Sequence, residues 1–133
     1  MYYLLLRISA SFTIDKFSKW SGIILNIIIF TVSNVLVFKI AKELSKSNIY
    51  GIIGCVINGF SLIALNSNSY IRMYELANLM TLFLTWFHLK IYHKKSISWR
   101  DTLPIAISFI LGGLTHYYVL VYGLGLYIVY TIK

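Results

Sequence analysis

The sequence has few cysteines and acidic residues and none of the common catalytic motifs. It contains one cysteine, one proline and only four acidic residues against twelve basic ones, in 133 residues. The single Cys55 excludes a disulfide framework within the chain. No basic n-region precedes the first apolar stretch, which Arg7 ends, so we expect no secretory signal peptide. The sequence has no G-x-S-x-G, Walker loop, H-E-x-x-H or CxxC pair, so these motifs predict no chemistry.

Apolar residues are what the sequence has most of. They make up 59% of the chain, charged residues make up 12%, and the mean hydropathy is +0.77. Soluble domains carry roughly 25% charged residues. A soluble domain of this size also leaves a large fraction of its surface in water, so it could not hide nearly continuous apolar runs. The composition therefore predicts a membrane protein.

Hydropathy over windows near 20 residues, roughly the length that crosses a ~30 Å hydrocarbon core, divides the chain into apolar segments. The last segment is too long for one span, and we split it into two short helices at the polar break 115–118. The first ten residues are too short to span, so we interpret them as an interfacial segment. The predicted segments are 20–38, 49–65, 70–92 and 103–132.

No segment alternates as a membrane β-strand does, and helices are the other structures that satisfy their backbone hydrogen bonds in lipid. We therefore predict an all-α, polytopic transmembrane bundle of four to five membrane helices plus the N-terminal interfacial segment. No internal repeat or linker divides the chain, so 1–133 is treated as one domain.

Basic residues are distributed unevenly if the segments cross the membrane alternately. Arg7, Lys16, Lys19 and Arg72 fall on one side, with the turn 66–69 and the break 115–118. The basic loops of the other side should be cytoplasmic, and this charge is explained by topology and anionic membrane lipid, so we expect no nucleic-acid partner. The residues of that side are Lys39, Lys42, Lys46, Lys90, Lys94, Lys95, Arg100 and Lys133.

Two local patterns predict helix boundaries and packing. Asp101 or Thr102 is a candidate N-cap for a helix with Pro104, the only proline, in its first turn. Small residues at four-residue spacing on 51–59 form a face that lets another helix approach closely. Chance occurrence of glycine in a membrane helix explains the second pattern equally well.

Arg72 and Glu75 are the first candidate site residues. Three residues apart, they share a helix face in the first turns after 66–69. Free N–H groups at a helix start and a guanidinium together suit a phosphate. The alternative is a local ion pair at the membrane interface, although a charge pair at such a place favours a functional role.

His116 is the second candidate. It lies in the THYY break, on the same predicted side as Arg72. An imidazole there could bind a phosphate oxygen or a sugar hydroxyl, with Tyr117 and Tyr118 supplying rings and hydroxyls. The alternative is an ordinary aromatic belt.

A polar stripe follows Glu75 on the same segment. Asn78, Thr81, Thr85 and His88 are spaced by three, four and three residues, which favours hydrogen bonds between helices over a polar path for a substrate. His88 and His93 have no third ligand at metal spacing, so no metal is assigned to them.

Several short motifs occur in a definite order along the chain. YYLLLRIS occupies 2–9, KFSKWSGIILN places Lys19 at the start of the first long apolar segment, and a basic stretch follows at 39–48. Next come Ile71-Arg72-Met73-Tyr74, a basic loop at 90–95, and the break at Thr115, His116 and Tyr117. This order resembles that of bacterial integral-membrane glycosyltransferases of the C-type fold, the group related to protein O-mannosyltransferases and to aminoarabinose transferases acting on lipid A.

The resemblance implies transfer of a sugar from a polyprenyl-phosphate donor to an acceptor glycan, lipid or protein at the outer face of the bacterial inner membrane. It also implies that Arg72 and His116 neutralise the departing phosphate, with Tyr74, Glu75 and Tyr117 in the same donor site. Two departures from the family pattern occur: Ile71 replaces an alanine, and Lys19 replaces an arginine.

The family's first helix, its acidic external loop and its later helices have no counterpart in 1–133. The resemblance therefore implies a fragment that is inactive alone, with the catalytic acidic base outside this sequence. Among the carboxylates present, a base on the outer face would have to be Asp15 or Glu75. No cofactor is indicated, and a divalent metal stays open for the intact enzyme.

Two other functions are compatible with the sequence. The polar stripe and the broken last segment favour a transporter or channel element, since broken helices line transport sites. The small-residue face at 51–59 favours a non-catalytic membrane interaction module.

Overall fold

The computed structural model describes residues 1–11, 19–61, 73–92, 94 and 96–132. These residues form helices, and no strand occurs among them, so the predicted all-α class is confirmed. The helices are α1 (Tyr2–Ser11), α2 (Lys19–Ser45), α3 (Asn48–Gly59), α4 (Tyr74–Tyr92), α5 (Trp99–Thr115) and α6 (Tyr117–Thr131).

Helices α2 and α3 form an antiparallel hairpin. The chain reverses at Lys46, whose φ of 56° lies in the left-handed region, and Ser47 then caps α3 by accepting the Ile49 N–H at 3.3 Å. Residues early in α3 pack against residues late in α2, as a Cβ on Gly51 would lie 2.7 Å from the Phe38 ring. The absence of a side chain at Gly51 therefore sets this close approach.

Helix α5 also packs antiparallel to both α4 and α6. A Cβ on Gly112 of α5 would lie 3.1 Å from Met80 Cβ of α4 and 2.4 Å from Val119 Cγ1 of α6. A Cβ on Gly123 would lie 2.5 Å from the Phe109 ring. These glycines let α5 lie close to both of its neighbours.

The hydrophobic core joins α1, α2 and α4. Its buried members are Tyr2, Ile29, Leu36, Leu76 and Leu79. The N-terminal segment, interpreted from sequence as interfacial, is thus a helix that inserts Tyr2 into the core.

The helices alternate in direction, which gives the bundle two distinct ends. Leu44 of α2, Tyr92 of α4 and Tyr130 of α6 line one cavity near the carboxyl ends of their helices. This end, which also carries the α2–α3 and α4–α5 connections, is called the basic end. The opposite end holds the start of α4 and the α5–α6 junction at His116, and is called the His116 end.

Two predicted boundaries are wrong. Helix α2 continues seven residues past 38, because lysines can extend from a helix end toward water while their stems cover apolar surface. Helix α5 begins at Trp99 with Ser98 as its N-cap, so neither Asp101 nor Thr102 is the cap. Pro104 is consequently the sixth helical residue and lies beyond the first turn.

One helix in the described part of the chain is long and apolar enough to cross a membrane. It covers Trp20–Ser45 with a mean hydropathy of 2.2, and α3 and α6 are shorter apolar helices. At 1.5 Å per residue, α5 and α6 are only about 25 and 22 Å long. The structure therefore supports membrane association, and a multi-pass arrangement stays a prediction.

Candidate functional site

His116 alone connects α5 to α6. Its backbone is extended, with φ −156° and ψ 133°, and its N–H donates to Gly112 O at 2.8 Å, closing the end of α5. Its Nδ1 accepts the Tyr118 N–H at 3.3 Å, capping the start of α6. Because Nδ1 is the acceptor, the neutral imidazole carries its hydrogen on Nε2, which can donate to a ligand oxygen.

Aromatic rings surround this imidazole. The ring centroids of His116 and Tyr118 are 4.8 Å apart, those of His116 and Tyr117 are 4.9 Å apart, and those of the two tyrosines are 4.2 Å apart. Tyr74, the first residue of α4, brings its ring centroid to 5.8 Å from that of His116. Tyr74, His116, Tyr117 and Tyr118 are called the aromatic site. The structure thus brings together three of the predicted site residues, Tyr74, His116 and Tyr117.

The aromatic site is accessible from outside the bundle. Tyr117 and Tyr118 are 60% and 63% exposed, and Tyr74 is 46% exposed. Their hydroxyl groups can donate to, or accept from, a polar ligand at this end.

Glu75 is the next residue after Tyr74 but faces inward. It is 4% exposed, in the first turn of α4. The Tyr2 hydroxyl donates to Asn26 Oδ1 at 2.9 Å, and both of these residues are buried. Burial raises the pKa of Tyr2, and the negative charge of Glu75 adds to this rise. Tyr2, Asn26 and Glu75 therefore form a buried polar group that links α1, α2 and α4.

The sequence-based prediction missed Tyr2 and Asn26. The available signal was an asparagine within the apolar stretch IILNIIIF, because an amide in such surroundings needs a hydrogen-bond partner. Tyr2 gave no signal, since a tyrosine near a chain start is equally typical of a membrane interface.

Other candidates lie outside the described residues. These are Arg72, the turn 66–69, Asp15 and His93. The Arg72–Glu75 pair and the joint action of Arg72 with His116 therefore stay predictions.

The polar stripe of α4 makes contacts between and within helices. The Thr85 hydroxyl donates to Thr81 O at 2.8 Å and lies 2.6 Å from the Tyr122 hydroxyl of α6. His88 Nδ1–H donates to Leu84 O at 2.8 Å, while Asn78 is exposed. The predicted hydrogen bond between helices thus occurs at Thr85, and Asn78 does not face the bundle.

The small-residue face of α3 packs against α2 in part. Cys55 Sγ donates to Asn34 O at 3.3 Å, and Gly51 and Gly54 lie against α2. Gly59 has no neighbouring atom within 4 Å of a built Cβ among the described residues. The close approach is therefore within this chain.

Cavities occur away from the aromatic site. One of ≈ 550 Å³ lies between α4, α5 and α6 toward the basic end, with His88, Phe109 and Tyr127 in its wall. Its mainly apolar lining suits hydrocarbon and not a phosphate. In the described parts of the chain, no three His, Cys, Asp or Glu side chains are grouped so that they could hold a metal ion.

Comparisons with family models, with curated proteins and with solved structures find no match to this chain. The resemblance to C-type glycosyltransferases therefore depends on the order of short motifs alone. Function has to be argued from the site, because a helical fold by itself does not indicate an activity.

Proposed function

We propose that this chain forms the donor-binding part of a membrane glycosyltransferase, which holds a polyprenyl-phosphate sugar at the His116 end. One observation carries the proposal: Tyr74, from the start of α4, lies against His116 at the α5–α6 junction. Two segments far apart in sequence thus place hydrogen-bond donors at one end of the bundle.

A multi-pass membrane location is part of this proposal. Large apolar side chains are exposed along several helices, among them Ile28 and Val35 of α2, Ile57 of α3 and Val129 of α6. Exposed apolar surface on this scale is typical of contact with lipid or with another protein. The six described basic residues of the predicted cytoplasmic loops all lie toward the basic end, so the His116 end would be external. These residues are Lys39, Lys42, Lys46, Lys90, Lys94 and Arg100.

The proposed chemistry is an inverting displacement. An acceptor hydroxyl attacks the anomeric carbon of the donor, the bond from that carbon to the phosphate oxygen breaks, and the acceptor proton passes to a base. Negative charge grows on the departing phosphate, where Nε2–H of His116 and the hydroxyl of Tyr74 would donate hydrogen bonds. Arg72, two residues before Tyr74 in the sequence, would add a guanidinium. No base is assigned.

The alternative functions have less support. Discontinuous transporter helices continue across the membrane after their break, whereas α5 and α6 reverse direction at His116. Thr85 and His88, the centre of the supposed polar path, already make hydrogen bonds within the bundle. Of the small residues of α3 that would bind a partner, Gly51 and Cys55 already contact α2.

Binding of a polyprenyl-phosphate sugar to the full chain in nanodiscs tests the proposal. We expect Arg72→Ala to weaken binding about 10- to 100-fold, since hydrogen bonds to charged groups contribute about 1.5–3 kcal/mol. We expect His116→Ala to weaken it about tenfold. Tyr127→Phe is the control, because Tyr127 is an exposed tyrosine of α6 at the opposite end. Unchanged affinity in both alanine variants would falsify the phosphate role.

A further inference from the structure

A second site lies at the basic end, between the end of α4 and the start of α5. Phe87, Lys90, Lys94, Arg100 and Asp101 line a pocket of ≈ 400 Å³, together with Ile91 and Pro104. With three cationic groups and one carboxylate, its net charge is +2. This pocket is called the basic pocket.

Both carboxylate oxygens of Asp101 already accept hydrogen bonds from neighbouring groups. The remaining positive charge of the basic pocket therefore suits an anion. Its Oδ1 accepts from Lys94 Nζ at 2.6 Å, and its Oδ2 accepts the Ser98 N–H at 3.2 Å. Lys90 and Arg100 make no ion pair among the described residues, where the ion pairs are Lys94–Asp101 and Lys46–Glu43.

Lys90 and Arg100 each lie over the ring of a tryptophan. Lys90 Nζ lies 5.1 Å from the ring centre of Trp86, and Arg100 Cζ lies 5.6 Å from that of Trp99. Cations at this distance from an indole face are attracted by its quadrupole. Tryptophan also prefers the level of lipid headgroups in a bilayer.

An apolar groove continues from the basic pocket along the α4–α5 contact. Phe87 and Pro104 line both cavities, and the groove, of ≈ 290 Å³, extends to Met80 and Leu111. Seven residues separate Phe87 from Met80 and Pro104 from Leu111, which is about 10 Å along each helix. Phe83, Leu103, Ile107 and Ser108 complete the groove. A cationic pocket thus opens onto an apolar channel directed toward the middle of the bundle.

We propose that the basic pocket and the apolar groove bind one anionic diacyl phospholipid, with its phosphodiester beside Lys90 and Arg100 and an acyl chain along Phe83, Phe87 and Ile107. Charge decides against a zwitterionic lipid, whose ammonium group would be repelled by the net positive pocket. The site is distinct from the aromatic site, which lies at the other end of the bundle. It depends only on the membrane location in the proposed function.

Quenching of tryptophan fluorescence by lipids with brominated acyl chains tests this site. The full chain is placed in nanodiscs with a small, equal fraction of brominated phosphatidylglycerol or brominated phosphatidylcholine. Trp20→Phe is used throughout, because Trp20 begins the apolar part of α2 near the His116 end and would add unrelated signal. With a nanodisc scaffold protein whose own tryptophans are replaced by phenylalanine, the emission then comes from Trp86 and Trp99, the other two tryptophans of the chain.

We expect the effective affinity for brominated phosphatidylglycerol to exceed that for brominated phosphatidylcholine about fivefold, the effect of roughly one cation–lipid contact. The double variant Lys90→Gln/Arg100→Gln should abolish this preference. Lys39→Gln/Lys42→Gln removes the same charge from α2, outside the pocket, and should keep it. Equal quenching by both lipids in the parent chain, or equal loss in both double variants, would overturn the proposal.

The groove is tested separately with two matched isoleucines of α5. Ile107 lines the groove and is 48% exposed, whereas Ile110 is 59% exposed and does not line it. We expect Ile107→Gln to reduce quenching by brominated phosphatidylglycerol and Ile110→Gln to leave it unchanged. Equal effects would contradict occupation of the groove.

A chain that fails to enter nanodiscs would reject the membrane location itself, while entry without lipid preference would reject this site alone.

Discussion

The side chain of Tyr2 is 1% exposed, and its hydroxyl proton is donated to an Asn26 amide that is fully buried. A buried amide that loses such a partner carries a desolvation cost that no water relieves. This hydrogen bond joins α1 to α2, as does the one from the Ser9 hydroxyl to Ser21 O at 3.1 Å. The nearby Glu75 carboxylate makes the Tyr2–Asn26 bond part of the buried polar group.

Loss of the Tyr2–Asn26 hydrogen bond should destabilise the fold. Tyr2→Phe should lower the free energy of unfolding by about 1–3 kcal/mol, because it removes the hydroxyl and keeps the ring. Tyr3→Phe removes a hydroxyl that is at the surface, on a residue 69% exposed, and should change stability little. Unfolding in mixed micelles measures both, and equal losses would show that the buried bond contributes nothing.

At the residue scale, the family resemblance assigned Tyr74 and His116 to one donor site, and the binding of a donor there stays a prediction. Their rings lie 5.8 Å apart. Tyr2 and Asn26 were missed because their partnership joins two helices, and no local spacing encodes which helices become neighbours.

At the scale of elements, the α5–α6 hairpin depends on the absence of a side chain at Gly112. A Cβ on Gly112 would meet Val119 Cγ1 at 2.4 Å, whereas one on Gly125 would meet nothing within 4 Å. Gly112→Ala should therefore destabilise the hairpin by about 1–3 kcal/mol through overpacking. Gly125→Ala should be neutral or stabilising, since alanine favours the helix by up to about 1 kcal/mol. Thermal unfolding of both variants in detergent measures this difference, and equal changes in stability would contradict the role of close packing at Gly112.

The hydrogen bond between Thr85 and Tyr122 joins α4 to α6. Because Thr85 gives its hydrogen to Thr81 O, the Tyr122 hydroxyl is the donor in this contact. A double-mutant cycle of Thr85→Val and Tyr122→Phe should give a coupling of about 0.6 kcal/mol, and no more than about 1.7. Additive losses would mean that the two hydroxyls do not interact.

The α4–α5 connection should respond to acid. Asp101 precedes the apolar part of α5, and the Lys94 ammonium, followed by the Ser98 N–H, lowers the pKa of its carboxyl below the ordinary 3.8. The contact therefore stabilises the connection fully above about pH 4 and is lost as pH falls through the lower folded value. Amide exchange in the first turn of α5, corrected for intrinsic rates, should show lost protection in that range. Asp101→Asn should remove the pH response.

Boundaries at the element scale were predicted where polar residues interrupt apolar ones. The break at Thr115, His116 and Tyr117 was found because it divides a tract too long for one span. The start of α5 was misplaced because Asp101 suits a helix cap and the third helical position alike. Only the contact between Ser98 N and Asp101 Oδ2 decides between them.

At the scale of the whole molecule, charge and topology agree. Lys39, Lys42, Lys90 and Arg100 lie toward the basic end, and the aromatic site lies at the other end. In a multi-pass arrangement, Ser96→Cys and Phe60→Cys, each in a Cys55→Ala background, should be labelled from opposite sides of the membrane. Ser96 lies in the α4–α5 connection, and Phe60 ends α3 with 80% exposure. Impermeant maleimide labelling of oriented vesicles measures this, and same-side labelling would refute the alternation.

For the whole molecule, hydropathy predicted the all-α class that the described residues show, and the number of membrane crossings stays a prediction. The neighbours of each helix were not predictable, because apolar faces are interchangeable in sequence. Specific contacts, such as Gly51 with Phe38 and Tyr2 with Asn26, identify which helices meet, and they are visible only in the structure. The activity was reached from motif order alone, and it stays a proposal.

The single-residue connection at His116 fixes how α6 is rotated about its own axis relative to α5. With 3.6 residues per turn, one residue inserted in the first turn of α6 would rotate every later side chain of that helix by about 100° relative to α5, if the connection at His116 keeps its geometry. Gly123 would then move away from Phe109, and the Tyr122 hydroxyl would move away from Thr85. Because the connection is a single residue, it leaves α6 little freedom to rotate back. An inserted residue should therefore be tolerated far less here than in the α2–α3 or α4–α5 connection.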